Sequence, residues 1–304
     1  MTELTEVTVL RGGALGDFIL TLPAIAAVAQ AYPRCTLHVV AHTPFARFAA
    51  PHRITDHDNP DLGPLFNPDC GEIPRATRCL FESSQVVLAY VAEEDGSSLQ
   101  RLRSVVPGHF ICGDPRPDPM FRTHITEHLL SPVRSAGIAV SDPLPLVPAA
   151  AIDKESDLAG QGSYIAIHPG SGGLRKCWSV ARFVELGHQL STAGLRPVFV
   201  CGPVERERPG FLGALAGTEV VTVDLHALPD LLRRADLLIG NDSGPGHLAA
   251  AVGTRTLSLF GSTDPMVWRP LGADCKVVQA PDGELERLGV ETVFGVALGM
   301  LEDG

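Results

Sequence analysis

The first segment whose residue types could carry chemistry is RGGALGD at positions 11–17, directly after an apolar run. Its glycines allow the backbone to approach a ligand closely, and Asp17 falls on the opening turn of the helix predicted to follow. A carboxylate on a first turn is also a good helix-start residue, because it interacts favourably with the helix dipole. The residues alone therefore leave a functional and a structural interpretation of Asp17 open.

A second segment, HPGSGGLRKCWS at positions 168–179, follows one predicted strand and precedes a predicted helix. Small residues in such a loop can offer backbone amides to phosphate, and Arg175 or Lys176 would add compensating charge. Lysine is rare in this chain, so its presence in this loop favours function. The alternative is a flexible loop in which Trp178 is only a core anchor.

The third segment, GNDSGPGHLAAA at positions 240–251, again indicates a strand end, a polar turn and a helix of small residues. The backbone amides of Ser243 and Gly244 would lie at the helix start, which favours a diphosphate. His247 could donate to a phosphate or satisfy a buried turn. Asp242 is unfavourable beside an anion unless it orients the loop, binds a hydroxyl or recruits a cation, and its role stays open.

Polar residues follow two further predicted strands. A carboxylate of CGPVERE, at positions 201–207, could accept hydrogen bonds from ribose hydroxyls. Such a position is more commonly an exposed helix-start acid. GSTDP, at positions 261–265, ends a comparable strand and is expected to line the same cleft.

Apolar runs alternate with amphipathic stretches along the chain, which predicts parallel sheets covered by helices on both faces. The first βαβ unit combines a strand at 7–10, the glycine turn, a helix at 18–29 and a strand at 37–40, and another buried strand is predicted at 85–90. The strands predicted in the second half cover 164–167, 198–201, 219–223, 237–239 and 256–260. Ligands of such sheets bind at the carboxyl ends of the strands, where the segments described above fall.

The length of 304 residues suits two domains, each large enough to enclose a core. Proline becomes dense across residues 107–148, and proline breaks helices and favours extended backbone. We therefore predict a first domain at 1–148 and a second at 149–304.

Composition excludes several classes of protein. The formal net charge of −11 argues against a nucleic-acid-binding domain and against a polybasic membrane anchor. The seven cysteines are scattered and never form a CxxC pair, so we predict reduced thiols that mostly serve packing. No apolar run approaches the ~20 residues needed to span a bilayer, and a cytoplasmic protein is expected.

Four stretches occur in a recognisable order: RGGALGDFILTLPA, HPGSGGLRKCW, CGPVERE and GNDSGPGHLAAAVGTRTLSLFGSTDPMVW. Together they resemble glycosyltransferase family 9, the ADP-heptose:lipopolysaccharide heptosyltransferase family, over nearly the entire chain. The resemblance implies an α/β fold of the GT-B type, with two facing Rossmann-like domains, parallel sheets, the acceptor on the N-terminal side and the donor mainly on the C-terminal side. It also implies a C-terminal helix, predicted at 290–301, that crosses back to the first domain.

The resemblance further implies an inverting transfer of a sugar from a nucleoside-diphosphate donor, with ADP-heptose expected. Asp17 matches the position of the catalytic base, and Lys176 matches a lysine near the donor phosphates. The phosphate-binding turn corresponds to residues 242–244 together with His247, and Glu205 or Glu207 would contact the donor ribose. The residues predicted to bind the donor are Gly13, Gly16, His168, Gly170, Ser171, Gly172, Glu205, Asp242, Ser243, Gly244 and His247.

This interpretation requires no cofactor and names no metal ligands, although Asp242 leaves room for Mg²⁺. The expected partner besides the donor is a saccharide or lipid-linked saccharide acceptor, which would bring the protein transiently to the inner face of the cytoplasmic membrane; nucleic acid is not expected. Two alternatives remain. One is a nucleotide-sugar epimerase or hydrolase on the same architecture, and the other is a catalytically silent nucleotide-sugar-binding protein.

Overall fold

The computed structural model describes residues 5–92, 96–152, 162–173 and 176–302 of the chain. Its contacts divide the chain into two compact units, Met1–Pro143 and Leu144–Gly304. The sequence analysis placed this boundary after residue 148. The backbone amide of Val147 donates to the carbonyl oxygen of Ala251 at 3.0 Å, which ties the end of the proline-rich segment to the second unit.

The first unit is built on a parallel sheet with the strand order β3-β2-β1-β4-β5. Its strands are β1 (Glu6–Arg11), β2 (Thr36–Ala41), β3 (Arg53–Asp56), β4 (Ser84–Tyr90) and β5 (His109–Gly113). Its described helices are α1 (Leu15–Ala31), α2 (Thr43–Ala46), α3 (Gly63–Phe66), α4 (Arg75–Cys79), α5 (Ser97–Val105) and α6 (Ile125–Ser135). The opening βαβ unit predicted from the sequence is therefore β1, α1 and β2.

Strands β1 and β4 lie at the centre of this sheet, and their residues are buried almost throughout. Burial on both faces explains the uninterrupted apolar run at residues 86–90 of β4 and the burial of Thr8 between the two valines of β1. Helix α1 buries Phe18, Ile19, Leu22 and Ile25, which covers one side of the sheet and fixes where the helix begins. The start of α1 is thereby held beside the carboxyl end of β1.

The second unit repeats this plan with the strand order β11-β10-β9-β6-β7-β8, all pairs being parallel. Its strands are β6 (Ile165–His168), β7 (Pro197–Cys201), β8 (Val220–Thr222), β9 (Leu237–Asn241), β10 (Thr256–Phe260) and β11 (Cys275–Gln279). Its described helices are α7 (Val180–Thr192), α8 (Pro203–Glu207), α9 (Phe211–Ala214), α10 (Leu228–Arg234), α11 (Gly244–Ala251), α12 (Pro265–Trp268) and α13 (Val290–Glu302). Short 3-10 helices in the two units lie at Arg47–Ala49, Pro60–Leu62, Ala149–Ala151, Pro281–Gly283 and Leu285–Arg287.

The last helix, α13, packs within the second unit. Its buried residues Val293, Ala297 and Met300 belong to the same core as Phe183 and Leu186 of α7. They recur at helical spacing and so form one apolar stripe, which this core covers. This buried face joins the core of the second unit, and the crossing to the first domain that the resemblance implied stays a prediction.

Within the described part of the chain, none of the helices combines the length and the apolar character that crossing a bilayer requires.

Candidate functional site

The strand order reverses at one point in each sheet, between β1 and β4 in the first unit and between β6 and β9 in the second. In open α/β sheets, ligands bind outside the carboxyl ends of the strands at such a point. The turn with Asp17 follows β1, while the loops with Lys176 and Asp242 follow β6 and β9. The candidate residues therefore fall where the topology of each unit predicts a ligand.

Asp17 is fixed at the start of α1 by its own turn. The backbone amide of Ala14 donates to Asp17 Oδ2 at 2.9 Å, which satisfies one of the free amides at the helix start. Gly13 has a φ of +100°, and a Cβ atom there would lie 2.9 Å from the same oxygen. Gly13 is thus needed for the backbone conformation and for the space that the carboxylate occupies. The structural interpretation of Asp17 is confirmed, and the functional one stays a prediction.

A buried arginine contacts the Asp17 carboxylate. Arg11 Nη2 lies 3.8 Å from Asp17 Oδ1, and the exposed fractions of the two side chains are 5% and 37%. Arg11 Nε donates to Thr21 Oγ1 at 3.0 Å, and the guanidinium lies 5.8 Å from the ring centroid of Tyr90. Burial lowers the pKa of Arg11, and the negative charge of Asp17 opposes that shift. The pair leaves Asp17 as the member with access to solvent.

Asn241, at the end of β9, fixes both ends of the loop that follows β6. Its Nδ2 donates to the carbonyl oxygen of Pro169 at 2.9 Å, and its Oδ1 accepts from the backbone amide of Trp178 at 2.9 Å. The Trp178 side chain is fully buried, and its Nε1 donates to the carbonyl oxygen of Leu288 at 3.0 Å. Trp178 is therefore a core anchor, and this anchor also positions the loop.

Lys176 and Asp242 form a direct ion pair where β6 and β9 end. Lys176 Nζ donates to Asp242 Oδ2 at 2.7 Å, and Thr263 Oγ1 donates to the same oxygen at 2.9 Å. Ser171 Oγ donates to the backbone carbonyl oxygen of Asp242 at 3.0 Å. The Lys176 side chain is 42% exposed and that of Asp242 is 7% exposed. Asp242 therefore orients the loop and anchors an ammonium group that a ligand can still reach.

Helix α11 begins directly after this ion pair, with Ser243 as its N-cap and Gly244 as its first residue. The Ser243 side chain makes no capping hydrogen bond, although its carbonyl oxygen accepts from the amide of Gly246 at 3.0 Å. The first amides of a helix favour an anion, because they have no partner within the helix. His247 is buried on this first turn, and its donation to a phosphate stays a prediction.

The structure distinguishes the two glutamates that follow β7. Glu207 is exposed, whereas Glu205 is buried and its Oε2 accepts from the backbone amide of Gly202 at 2.8 Å. Glu205 Oε1 lies 4.0 Å from His168 Nε2. A Cβ atom at Gly170 would lie 1.9 Å from the same glutamate oxygen. The position of Glu205 therefore requires glycine at 170 and directs one carboxylate oxygen toward the loop after β6.

The predicted residues of the second unit come together at adjacent strand ends. The residues of this group are His168, Gly170, Ser171, Lys176, Glu205, Asp242, Ser243, Gly244 and His247. Gly13 and Gly16 belong to the first unit, in the turn and helix start of Asp17. Gly172 is exposed and has open space where a Cβ atom would lie, and Arg175 lies outside the described residues.

Two side chains that organise these loops were missed by sequence reasoning. Asn241 and Arg11 each close a buried apolar strand, and both stood inside the quoted segments without a role. A polar group at such a position must find a partner, because an unsatisfied buried group costs free energy. That rule is the signal that could have identified them.

The seven cysteines are all free. Burial raises the pKa of Cys201 to about 12, so this thiol stays protonated and serves packing at the end of β7.

A family model described as glycosyltransferase family 9 (heptosyltransferase) matches residues 142–296, just over half of the chain. The chain is 40% identical over 129 residues to lipopolysaccharide heptosyltransferase 3 of Escherichia coli, a match that covers 38% of this chain and 37% of that protein. It is 33% identical over 165 residues to another E. coli protein of the same name, covering 50% of this chain and 48% of the relative. The matched region thus spans less than half of the length of these relatives.

Among solved structures, the chain is similar to E. coli heptosyltransferase WaaC with ADP, with a TM-score of 0.72 and 21% sequence identity. That likeness covers 97% of this chain and 100% of the other. It confirms the predicted GT-B type of fold, with two Rossmann-like α/β units on parallel sheets. Together with the family match, it leads to one conclusion: the chain belongs to glycosyltransferase family 9.

Proposed function

We propose that this protein is a glycosyltransferase that moves a sugar from a nucleoside-diphosphate donor to a hydroxyl of a saccharide or lipid-linked saccharide acceptor in lipopolysaccharide biosynthesis. The observation that carries this proposal is the accessible Lys176 ammonium, anchored on buried Asp242 beside the start of α11. A fixed cation next to the amides of a helix start is suited to bind a diphosphate. Heptose is the expected sugar, since the curated relatives are heptosyltransferases.

In this proposal the second unit binds the donor, with ADP-heptose expected because a similar solved structure contains ADP. Lys176 and the backbone amides of Ser243 and Gly244 contact the diphosphate. Glu205 accepts hydrogen bonds from the ribose, because it is the buried glutamate whose carboxylate reaches the loop after β6. As the donor bond breaks, negative charge grows on the diphosphate, and preorganised donors stabilise it without rearranging.

The first unit supplies the general base in this proposal. The acceptor oxygen attacks the anomeric carbon, its proton passes to the Asp17 carboxylate, and the bond to the diphosphate breaks with its electron pair. A single displacement of this kind inverts the anomeric configuration. The half-buried position of Asp17 and its fixed hydrogen bond to Ala14 support this role, because a base must be both accessible and held in place.

Transfer is proposed to need no metal, because Lys176 and helix amides can meet the diphosphate charge. Asp242 Oδ2 already accepts hydrogen bonds from Lys176 and Thr263, which supports an anchoring role over a Mg²⁺-binding role. Equal turnover with and without added Mg²⁺ is the expected result. Turnover that depends on added Mg²⁺ would assign the carboxylate to a metal instead.

A lipid-linked acceptor would bring the enzyme to the inner face of the cytoplasmic membrane. Sedimentation with vesicles that carry such an acceptor, compared with vesicles that lack it, tests this contact. We expect co-sedimentation only with the acceptor-bearing vesicles, and equal recovery in the supernatant from both would oppose the proposal.

The decisive functional experiment follows a donor labelled in its sugar, with a panel of ADP-, GDP- and UDP-sugars to identify the nucleotide. Transfer yields a new glycoside of inverted anomeric configuration. An isomeric donor would indicate an epimerase, free sugar a hydrolase, and binding without turnover across an acceptor panel a silent binding protein. Any of these three outcomes would replace the proposed function.

A further inference from the structure

Two histidines and an aspartate converge at the carboxyl edge of the first sheet. His42 directly follows β2, and His57 and Asp58 directly follow β3, the neighbouring strand. The side chains are 35%, 36% and 80% exposed, so the two imidazoles are partly sheltered and the carboxylate is open to solvent. None of these residues has a role in the proposed transfer.

The three side chains bring potential metal-ligand atoms close to one another. His42 Nδ1 and His57 Nδ1 lie 3.9 Å and 3.7 Å from the two oxygens of Asp58, and all three groups offer ligand atoms within 4.8 Å of one another. Both separations exceed hydrogen-bonding distance. Ligands on a tetrahedral Zn²⁺ with bonds of ~2.0–2.2 Å lie roughly 3.4 Å apart, so small side-chain rotations would complete a site.

The backbone around the cluster is already organised. Asp56 Oδ2 accepts from the amide of Thr43 at 2.9 Å, and Asp56 Oδ1 accepts from the amide of Asp58 at 2.9 Å. The amide of His57 donates to the carbonyl oxygen of Ala41 at 3.0 Å. These bonds hold the ends of β2 and β3 together and so fix the backbone that carries the three side chains.

The cluster is also tied to the glycine turn of the first unit. A Cβ atom on Gly12 would lie 2.8 Å from His57 Nε2, so this ring packs directly on the turn. The ring centroids of His42 and His57 are 4.9 Å apart. A single divalent cation can therefore contact both rings and the carboxylate.

We propose that His42, His57 and Asp58 bind one divalent transition-metal ion of the Zn²⁺ class, with a fourth position open to water. Two imidazoles and one carboxylate match the ligand preference of such ions, and three protein ligands leave an open position. The ion fixes the ends of β2 and β3 against the Gly12 turn. This site is distinct from the proposed donor site and does not depend on the proposed function.

The test is a Zn²⁺ titration of the full chain against a chromophoric chelator, without any nucleotide sugar, repeated with Co²⁺ to record its ligand-field absorption. We expect one ion per chain, a tetrahedral Co²⁺ spectrum and a higher Tm with Zn²⁺. Asp58→Asn and His57→Gln should each weaken Zn²⁺ binding more than ~10-fold. His109→Gln is the matched control, since His109 is an exposed histidine at the start of β5.

The proposal is overturned if the wild-type chain binds no Zn²⁺ at one per chain. It is equally overturned if Asp58→Asn and His57→Gln bind as tightly as wild type, or if His109→Gln lowers binding to the same extent. Because Asp58 is largely exposed, its substitution leaves the fold intact, and circular dichroism verifies this for both variants. An Asp17→Asn variant should bind Zn²⁺ like wild type, which separates this site from the proposed catalytic base.

Discussion

The two units carry acid–base pairs with opposite burial. In the first unit the cation is buried and the carboxylate accessible, since Arg11 is 5% and Asp17 37% exposed. In the second unit the carboxylate is buried and the cation accessible, since Asp242 is 7% and Lys176 42% exposed. The distance between the charged nitrogen and the carboxylate oxygen also differs, at 3.8 Å in the first unit and 2.7 Å in the second.

This inversion indicates which group each unit offers to a ligand. The buried member holds its partner in place, because a charge inside a protein must be paired and hydrogen-bonded. In the proposed function the exposed member carries the chemistry, as a proton acceptor in the first unit and as a phosphate-binding cation in the second. The same combination of a carboxylate and a cation is therefore proposed to serve two different roles, set by which member is buried.

The largest expected effect comes from removing the accessible carboxylate. Asp17→Asn keeps a side-chain acceptor for the amide of Ala14 but cannot accept a proton, so kcat should fall ~10²–10⁴-fold. Steady-state kinetics with the identified donor and acceptor measure this change. Glu127→Gln is the control, because Glu127 is a first-turn carboxylate of α6 in the same unit. An equal loss in both variants would remove the distinction between Asp17 and an ordinary helix-start acid.

The accessible cation of the second unit should give the next largest effect. Lys176→Ala removes a charged hydrogen-bond donor worth about 1.5–3 kcal/mol, so kcat/KM should fall roughly 10–100-fold. Donor titration by calorimetry and initial-rate kinetics check the change. Lys276→Ala, on β11, is the matched lysine control and should behave as wild type. Unchanged kinetics in Lys176→Ala would show that Lys176 is a surface charge without a role in donor binding or transfer.

The stability of the first unit should depend on pH through His38, a buried histidine outside both ion pairs. Burial lowers the pKa of His38 from 6.5 to about 3, and the nearby Arg53 charge adds to this shift. The unfolded chain then binds a proton that the folded chain does not, so stability is retained above pH ~6.5 and falls by about 1.4 kcal/mol per pH unit as the pH drops toward 3.

His38→Gln should show a shallower loss of stability across this pH window, measured as the free energy of unfolding in urea. The ring contacts Thr8, Thr55 and Arg53, and Glu6 lies 4.0 Å away. Because losing these contacts changes stability at every pH, the comparison uses the slope of stability against pH. Identical slopes in the variant and the wild type would show that the pKa of His38 is the same in the folded and the unfolded chain.

The smallest effect should separate the two glutamates after β7. Glu205→Gln alters a buried carboxylate, so donor affinity should fall about 2–10-fold, the range of one hydrogen bond. Glu207→Gln changes an exposed side chain on the same helix and should leave affinity unchanged. The reverse ranking would move the proposed ribose contact to Glu207.

Most of the fold could be predicted from the sequence, because strands such as β4 and β9 contain apolar runs, at residues 86–90 and 237–239, and glycine turns separate strands from helices. The positions of Asp17 and Lys176 followed from the same local patterns. The partner of Asp242, and the burial of Glu205 instead of Glu207, could not be predicted. Both depend on contacts between strand ends that are distant in sequence, such as Lys176 with Asp242, and local patterns contain no information on these contacts.

The most direct test of the account compares ADP binding with turnover in Asp17→Asn and Lys176→Ala. Calorimetry gives the Kd of ADP, and single-turnover kinetics give the rate of sugar transfer at saturating donor. The account predicts that Asp17→Asn keeps the wild-type Kd and loses turnover, while Lys176→Ala weakens ADP binding. If Asp17→Asn instead weakened ADP binding and kept its turnover, the assignment of proton acceptor and phosphate-binding cation to separate units would be contradicted.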